Sequence, residues 1–193
     1  NSTLATTILQ GAAGKRILIL ANLRSQKNHF LLIQLAIRIK ISHPDWTFHL
    51  VGKDFKDDYA TQIKHAIIDN HLKETVFIYD SKHDVENILS QSTIGVLTSA
   101  SEGLPLALIE YGMAKVPVVV TNVGEIPLII SNGVNGYIVP VEEQLFYEKL
   151  VILMEDERKQ AIFAERLFKT MLEKFGENSI IQSYLNWITE HCK

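Results

Sequence analysis

The chain has a single cysteine, Cys192, so an internal disulfide is excluded and a reducing compartment fits. Its seven histidines show neither an HExxH pattern nor paired-ligand spacing, so no metal site is read. Most of them are expected at the surface or in strands. No apolar run reaches the ~20 residues of a membrane-spanning helix. A net charge of -3 supplies no basic field for nucleic acid. The opening stretch Asn1 to Gln10 lacks the charged start and long apolar centre of a signal peptide. Internal repeats and low-complexity tracts are also missing. What remains is a chain of 193 residues, 47% apolar and 21% charged, long enough for one full α/β domain.

Residues 1–15 are rich in Ser, Thr, Gly and Ala without a clear period and read as a connector. Short continuous apolar runs then recur, as expected of parallel strands buried on both faces. They are Ile17–Leu20, Thr47–Val51, Val76–Tyr79, Ile94–Leu97, Pro117–Thr121 and Tyr137–Val139. Between them lie helical patterns: Leu31, Leu32, Leu35, Ala36 and Ile39; Tyr59, Ile63, Ala66 and Ile67; Val85, Ile88 and Leu89; and Leu106 to Ala114. Ser81 to Asp84 resembles a capping box for the third of these. After the last strand the chain reads as helical. One face carries Ala164, Leu167, Phe168, Met171, Leu172 and Phe175, and a final helix carries Ile180, Ile181, Tyr184, Leu185 and Ile188. Six strands alternating with helices predict an α/β, doubly wound, mostly parallel six-stranded sheet with C-terminal helices. Ligands of such sheets sit at the carboxyl ends of the strands. The loops after strands one, two, four and five, with Lys27, Gly52, Glu102 and Gly124, are therefore expected to share a rim.

One stretch stands out on that rim: Ser99-Ala-Ser-Glu-Gly-Leu-Pro-Leu-Ala-Leu-Ile-Glu110. A strand end, a turn at Gly103 and uncapped amides at a helix start make an anion site. Pro105 falls near the first helical position, where its missing N–H costs nothing. Glu102 and Glu110 bracket the turn. Carboxylates repel phosphate but accept hydrogen bonds from sugar or ribose hydroxyls. Amides for phosphate beside carboxylates for hydroxyls fit a nucleotide sugar. The bland readings are a turn carboxylate for Glu102, an amphipathic-helix surface for Glu110, a helix-start surface lysine for Lys27 and an ordinary surface residue for Arg24. Gly52, Gly103 and Gly124 read equally as turn glycines with positive φ.

The stretch Ser99-x-x-Glu102-Gly103-Leu-Pro-Leu-Ala-Leu-Ile-Glu110 resembles the Glu-x7-Glu signature of retaining glycosyltransferases of the GT-B fold, family four. Pro117-Val-Val-Val-Thr-Asn-Val-Gly124 resembles the family's "PVVATDVGG", and Asn132-Gly-Val-Asn-Gly-Tyr-Ile-Val-Pro140 its "DGVNGLLVP". Leu23-Arg-Ser-Gln-Lys-Asn28 resembles its "GRLSPEKN" loop, and Leu50-Val-Gly52 its "LVLVGDG" strand. The resemblance spans residues 16 to 190. It implies that residues 16–193 are the C-terminal, nucleotide-sugar donor-binding domain, with the N-terminal acceptor domain absent from this chain. It further implies that Glu102 accepts from donor-sugar hydroxyls and Glu110 from ribose hydroxyls. The amides around Leu104, Leu106 and Ala107 then face the diphosphate, and Lys27 offsets charge on the leaving group. Gly52 and residues 79–82 would border the base. No metal and no cofactor beyond the nucleotide-sugar substrate is implied. The implied partners are a UDP- or GDP-sugar and, through the missing domain, a polysaccharide, lipid-linked or other glycan acceptor. The implied location is cytoplasmic or at the inner face of the membrane, with at most peripheral membrane contact. Three positions depart from the family pattern. Its diphosphate-binding arginine is replaced by Asn22, with Arg24 two residues on. Its second glycine is Glu125, and its later acidic residue is Leu128. Two other classes fit less of the pattern: a nucleotide-sugar epimerase of the same fold, for which no acid/base set is found, and a non-catalytic or degenerate nucleotide-binding module.

Overall fold

The computed structural model describes residues 6–176. The last helix expected from the sequence, at Ile180 to Ile188, and Cys192 lie outside the described residues. Six strands are present: β1 (Arg16–Leu20), β2 (Thr47–Val51), β3 (Val76–Tyr79), β4 (Ile94–Leu97), β5 (Val118–Thr121) and β6 (Tyr137–Val139). They form one sheet in the order β3-β2-β1-β4-β5-β6, every neighbouring pair parallel. The helices are α1 (His29–Ser42), α2 (Asp58–Asp69), α3 (Val85–Ser90), α4 (Leu106–Met113), α5 (Glu143–Met154) and α6 (Glu157–Phe175). The doubly wound sheet expected from the alternation is thus present. The strands β2, β4 and β5 are buried on both faces, which accounts for their largely apolar sequences. One core layer holds Leu32, Leu35 and Ile39 of α1, Ile63 of α2 and Phe146 and Leu150 of α5. The opposite layer holds Ile88 of α3, Leu108 and Tyr111 of α4, and Leu167 and Met171 of α6.

Two local expectations need correction. Ser81 is not the cap of α3. The N-cap is Asp84, and its side chain makes no capping bond. The Asp84 carboxylate instead accepts from the Thr7 amide at 2.6 Å and the Thr7 hydroxyl at 2.9 Å. A tertiary partner has taken the acceptor that a capping box would use. Residues 7–10 are held along α3 and β3 by further bonds: Leu9 N–H donates to Gln91 Oε1, and Gln10 N–H to the Tyr79 hydroxyl. The second correction concerns glycine. Gly52 and Gly124 have positive φ, but Gly103 does not.

The sheet's order reverses between β1 and β4, and there the ladder is short. Only Ile17 and Leu18 of β1 pair with Ile94 and Gly95 of β4. Beyond Leu18 the strands splay. The Tyr111 side chain, fully buried, fills the gap from α4. Its hydroxyl donates to the Leu18 carbonyl at 3.0 Å and accepts from the Leu20 amide at 2.8 Å. Gly95 makes room, since a Cβ there would lie 2.8 Å from the Tyr111 ring.

Two buried histidines tie stability to pH. Burial lowers His29 from its ordinary 6.5 to about 4, partly opposed by the nearby Ala21 carbonyl and helped by the Lys27 charge. Its Nδ1 meets the Tyr59 hydroxyl at 3.2 Å, while Nε2 has no partner of acceptable geometry. Burial, with the Arg16 charge, likewise lowers His49 to about 4. His49 lies between the hydroxyls of Thr47 and Tyr79, at 2.9 and 3.2 Å. Above pH 6.5 both residues are neutral whether the chain is folded or not. Below it, the unfolded chain takes up protons that the native state refuses, so stability falls as pH falls toward 4. Urea denaturation is expected to show a loss of about 2 kcal/mol per histidine between pH 7 and pH 5. His49→Gln should remove about half of that dependence, leaving the part due to His29. Equal stability of the parent chain at the two pH values would contradict the burial of neutral imidazoles.

Candidate functional site

At the carboxyl ends of the strands, beside the splay, the loops after β1, β2, β3 and β4 surround a cavity of about 510 Å³. Its charged lining consists of Lys27, Lys82, Glu102 and Glu110.

Lys27 closes a 3-10 turn (Ser25–Lys27) that ends at Asn28, in the left-handed region with φ 50°. Two bonds latch this turn to the loop after β4. The Thr98 hydroxyl donates to the Lys27 carbonyl, and the Ala100 amide to the Gln26 carbonyl, each at 2.9 Å. The latch brings the Lys27 ammonium against both oxygens of the Glu102 carboxylate, at 2.7 and 2.9 Å. The Ser99 hydroxyl donates to the same carboxylate at 2.5 Å. The Ser99 carbonyl accepts from the Thr121 hydroxyl at 2.7 Å, which ties the turn to β5. Gly124 permits that approach. Its φ is 56°, and a Cβ there would lie 1.9 Å from the Glu102 carbonyl oxygen.

Pro105 is the N-cap of α4, one position ahead of the helix, with extended φ and ψ of -76° and 112°. It leaves the helix start without a side-chain cap. The Leu108 amide bonds the Pro105 carbonyl at 2.9 Å. The amides of Leu104, Leu106 and Ala107 have no acceptor among the described residues, and all three residues line the cavity. Such amides, at the positive end of a helix dipole, suit an anion. One turn on, Glu110 projects into the same cavity. Its carboxylate makes no hydrogen bond or ion pair among the described residues, and partial desolvation raises its pKa above the ordinary value. Its neighbour Tyr111 anchors the helix across the splay, so one helix fixes both the amides and Glu110.

The structure therefore brings Lys27, Gly52, Glu102, Leu104, Leu106, Ala107 and Glu110 to one cavity. It keeps three expected residues out of the lining. The Arg24 guanidinium stacks on the Phe55 ring at 4.0 Å instead of turning inward. Gly103 and Gly124 support the turn from behind rather than line the space, so the loop after β5 shapes the rim without forming it. Asn22 does line the cavity, and its Oδ1 accepts from the Lys53 amide at 2.8 Å, joining the loops after β1 and β2. Tyr79 is turned toward Gln10 and His49, while Ser81 and Lys82 face the cavity. Sequence reasoning did not single out Ser99, Thr98 or Tyr111. Ser99 carried a usable signal, three residues ahead of Glu102 in a turn. Glu125 and Leu128 lie outside the lining. Among the described residues no cluster of three His, Cys, Asp or Glu side chains could hold a metal, and no helix is long and apolar enough to cross a membrane.

Comparison with known proteins points the same way. Residues 10–170 match the family model described as glycosyl transferases group 1. The chain is 27% identical over 172 residues to N-acetyl-alpha-D-glucosaminyl L-malate synthase of Bacillus anthracis, covering 88% of this chain and 44% of that protein. It spans less than half the length of that relative. A solved structure of S. aureus TarM, a variant in complex with fondaparinux, alpha-GlcNAc-glycerol and UDP, superposes with a TM-score of 0.81 at 25% identity, over 89% of this chain and 35% of that one. The C-terminal domain of a glycosyl transferase group 1 family protein (LpcC) from Francisella tularensis superposes with a TM-score of 0.76 at 24% identity. That likeness covers 84% of this chain and 86% of the other.

The Tyr111 anchor is open to a direct test. Tyr111→Phe keeps the ring but leaves the Leu18 carbonyl and Leu20 amide without their partner. The expected cost is about 1–3 kcal/mol by chemical denaturation. An unchanged stability would show that the splay is bridged by something else.

Proposed function

The chain belongs to the glycosyl transferases group 1 family, and we propose that it is the donor-binding half of a retaining glycosyltransferase that moves a sugar from a UDP- or GDP-sugar to a glycan acceptor. One observation carries this reading: uncommitted amides at the start of α4 and the Lys27 ammonium share a cavity with two carboxylates, Glu102 and Glu110. Anion donors and hydroxyl acceptors side by side match a nucleotide sugar better than a bare phosphate or a neutral sugar.

In this reading the diphosphate lies against the amides of Leu106 and Ala107, with Leu104 beside them. Glu110 accepts from the ribose hydroxyls and Glu102 from hydroxyls of the donor sugar. Lys27 neutralises charge that builds on the diphosphate as the glycosidic bond breaks. Gly52, Ser81 and Lys82 border the base. Arg24 and Gly124 act from outside the cavity. The roles assigned to Lys27, Glu102 and Glu110 need no metal. The acceptor is bound by a separate N-terminal domain of the longer protein, so this chain alone transfers no sugar. The reaction runs in the cytoplasm or at the inner face of the membrane. That the solved TarM complex contains UDP supports a nucleotide as the ligand class.

A thermal-shift panel of UDP, GDP, ADP and their sugars at millimolar concentration tests the reading. At least one is expected to raise Tm by several degrees, since a ligand at 100 Kd stabilises by about 2.7 kcal/mol. Glu110→Ala should abolish most of that shift. Affinity should also weaken on acidification, beginning above the usual carboxylate range. Burial raises the Glu110 pKa, and a protonated carboxyl accepts ribose hydroxyls less well. The absence of any shift with the whole panel would instead favour a degenerate module.

A further inference from the structure

The ion pair in the cavity lining bears on which ligand the site prefers. Lys27 and Glu102 meet through two contacts, with side chains 21% and 6% exposed. The backbone on either side is latched: by Thr98 and Ala100 at Lys27, and by Thr121 at Ser99 with close packing of Gly124 at Glu102. The loops cannot drift apart without losing those bonds. What can move is the Lys27 side chain on its flexible stem. The charges lining the cavity, Lys27 and Lys82 against Glu102 and Glu110, cancel.

Resting on the donor-site reading, we propose that the Lys27–Glu102 pair makes the site select a nucleotide that carries a sugar over the bare nucleoside diphosphate. Consider the bare diphosphate first. If the pair stays closed, two of the three ammonium donors are occupied and the lysine's charge is cancelled. The phosphates then lie beside a carboxylate of like charge. If the pair opens to serve the phosphates, Glu102 is left nearly buried with only the Ser99 hydroxyl as partner, which is costly. A donor sugar removes both penalties. Its hydroxyls donate to the carboxylate oxygens that Lys27 leaves, and the ammonium turns to the phosphates. Once the sugar has gone, re-formation of the pair works against the remaining diphosphate and favours its release.

Calorimetric titration of the 193-residue chain and its Glu102→Gln variant tests this, with UDP, GDP, UDP-glucose, UDP-GlcNAc and GDP-mannose as ligands. Gln keeps the shape and an acceptor for Ser99 but releases Lys27. The parent chain is expected to bind its best nucleotide sugar about tenfold or more tightly than the matching diphosphate. Glu102→Gln should bind that diphosphate about fivefold or more tightly than the parent does, and should lose the margin for the sugar. A variant with parental Tm that binds the diphosphate no better would overturn the proposal while leaving the donor site standing. No binding of any of the five ligands to either protein would overturn both. A variant that fails to fold shifts the test to the parent chain: adding the matching free hexose should strengthen diphosphate binding, and no strengthening would overturn the proposal.

Discussion

A hydroxyl does the work of a strand where β1 and β4 part. Parallel strands that separate leave backbone amides and carbonyls buried without partners, and that cost is high. The Tyr111 phenol takes both the Leu18 carbonyl and the Leu20 amide. Helix α4 is thereby pinned over the point where strand order reverses. Much of what the cavity offers to a nucleotide follows from that placement, because the free amides at Leu106 and Ala107 and the carboxylate of Glu110 ride on the same helix. A tilt of α4 would move all of them together.

The second constraint is the latch between the loop after β1 and the loop after β4. Thr98 and Ala100 hold the backbone around Lys27, and Thr121 and Gly124 hold the turn at Glu102. Two loops far apart in the chain become one wall. The charge balance of that wall is set by a single pair, whose carboxylate is nearly buried and whose ammonium is not. An arrangement of this kind keeps the geometry fixed while one side chain remains free to change partner.

Much of this was legible before any coordinates. The six strands show as short, largely apolar stretches, because a parallel strand covered on both faces has little polar side to show. Glu102 and Glu110 could be named because they bracket a turn between a strand end and a helix start, and Lys27 because the resemblance to the family's loop implied it. What could not be read depended on partners distant in the chain. Ser81 to Asp84 resembled a capping box, but Asp84 itself stands at the N-cap and its carboxylate goes to Thr7. Arg24 stood close to the family's phosphate-binding position, but Phe55 offered its guanidinium a ring face. Gly103 looked like the glycine that the turn required, whereas the tight approach falls at Gly124. Tyr111 read as one more apolar residue of a helix, since nothing local announces that two strands splay beneath it.

The central claim is that one helix start serves the diphosphate and the ribose at once. A crystal structure of the chain with UDP bound addresses it most directly. The account predicts phosphate oxygens within hydrogen-bond reach of the Leu106 and Ala107 amides, and ribose hydroxyls donating to the Glu110 carboxylate. UDP held elsewhere on the chain, or bound here with Glu110 turned away from the ribose, would contradict it.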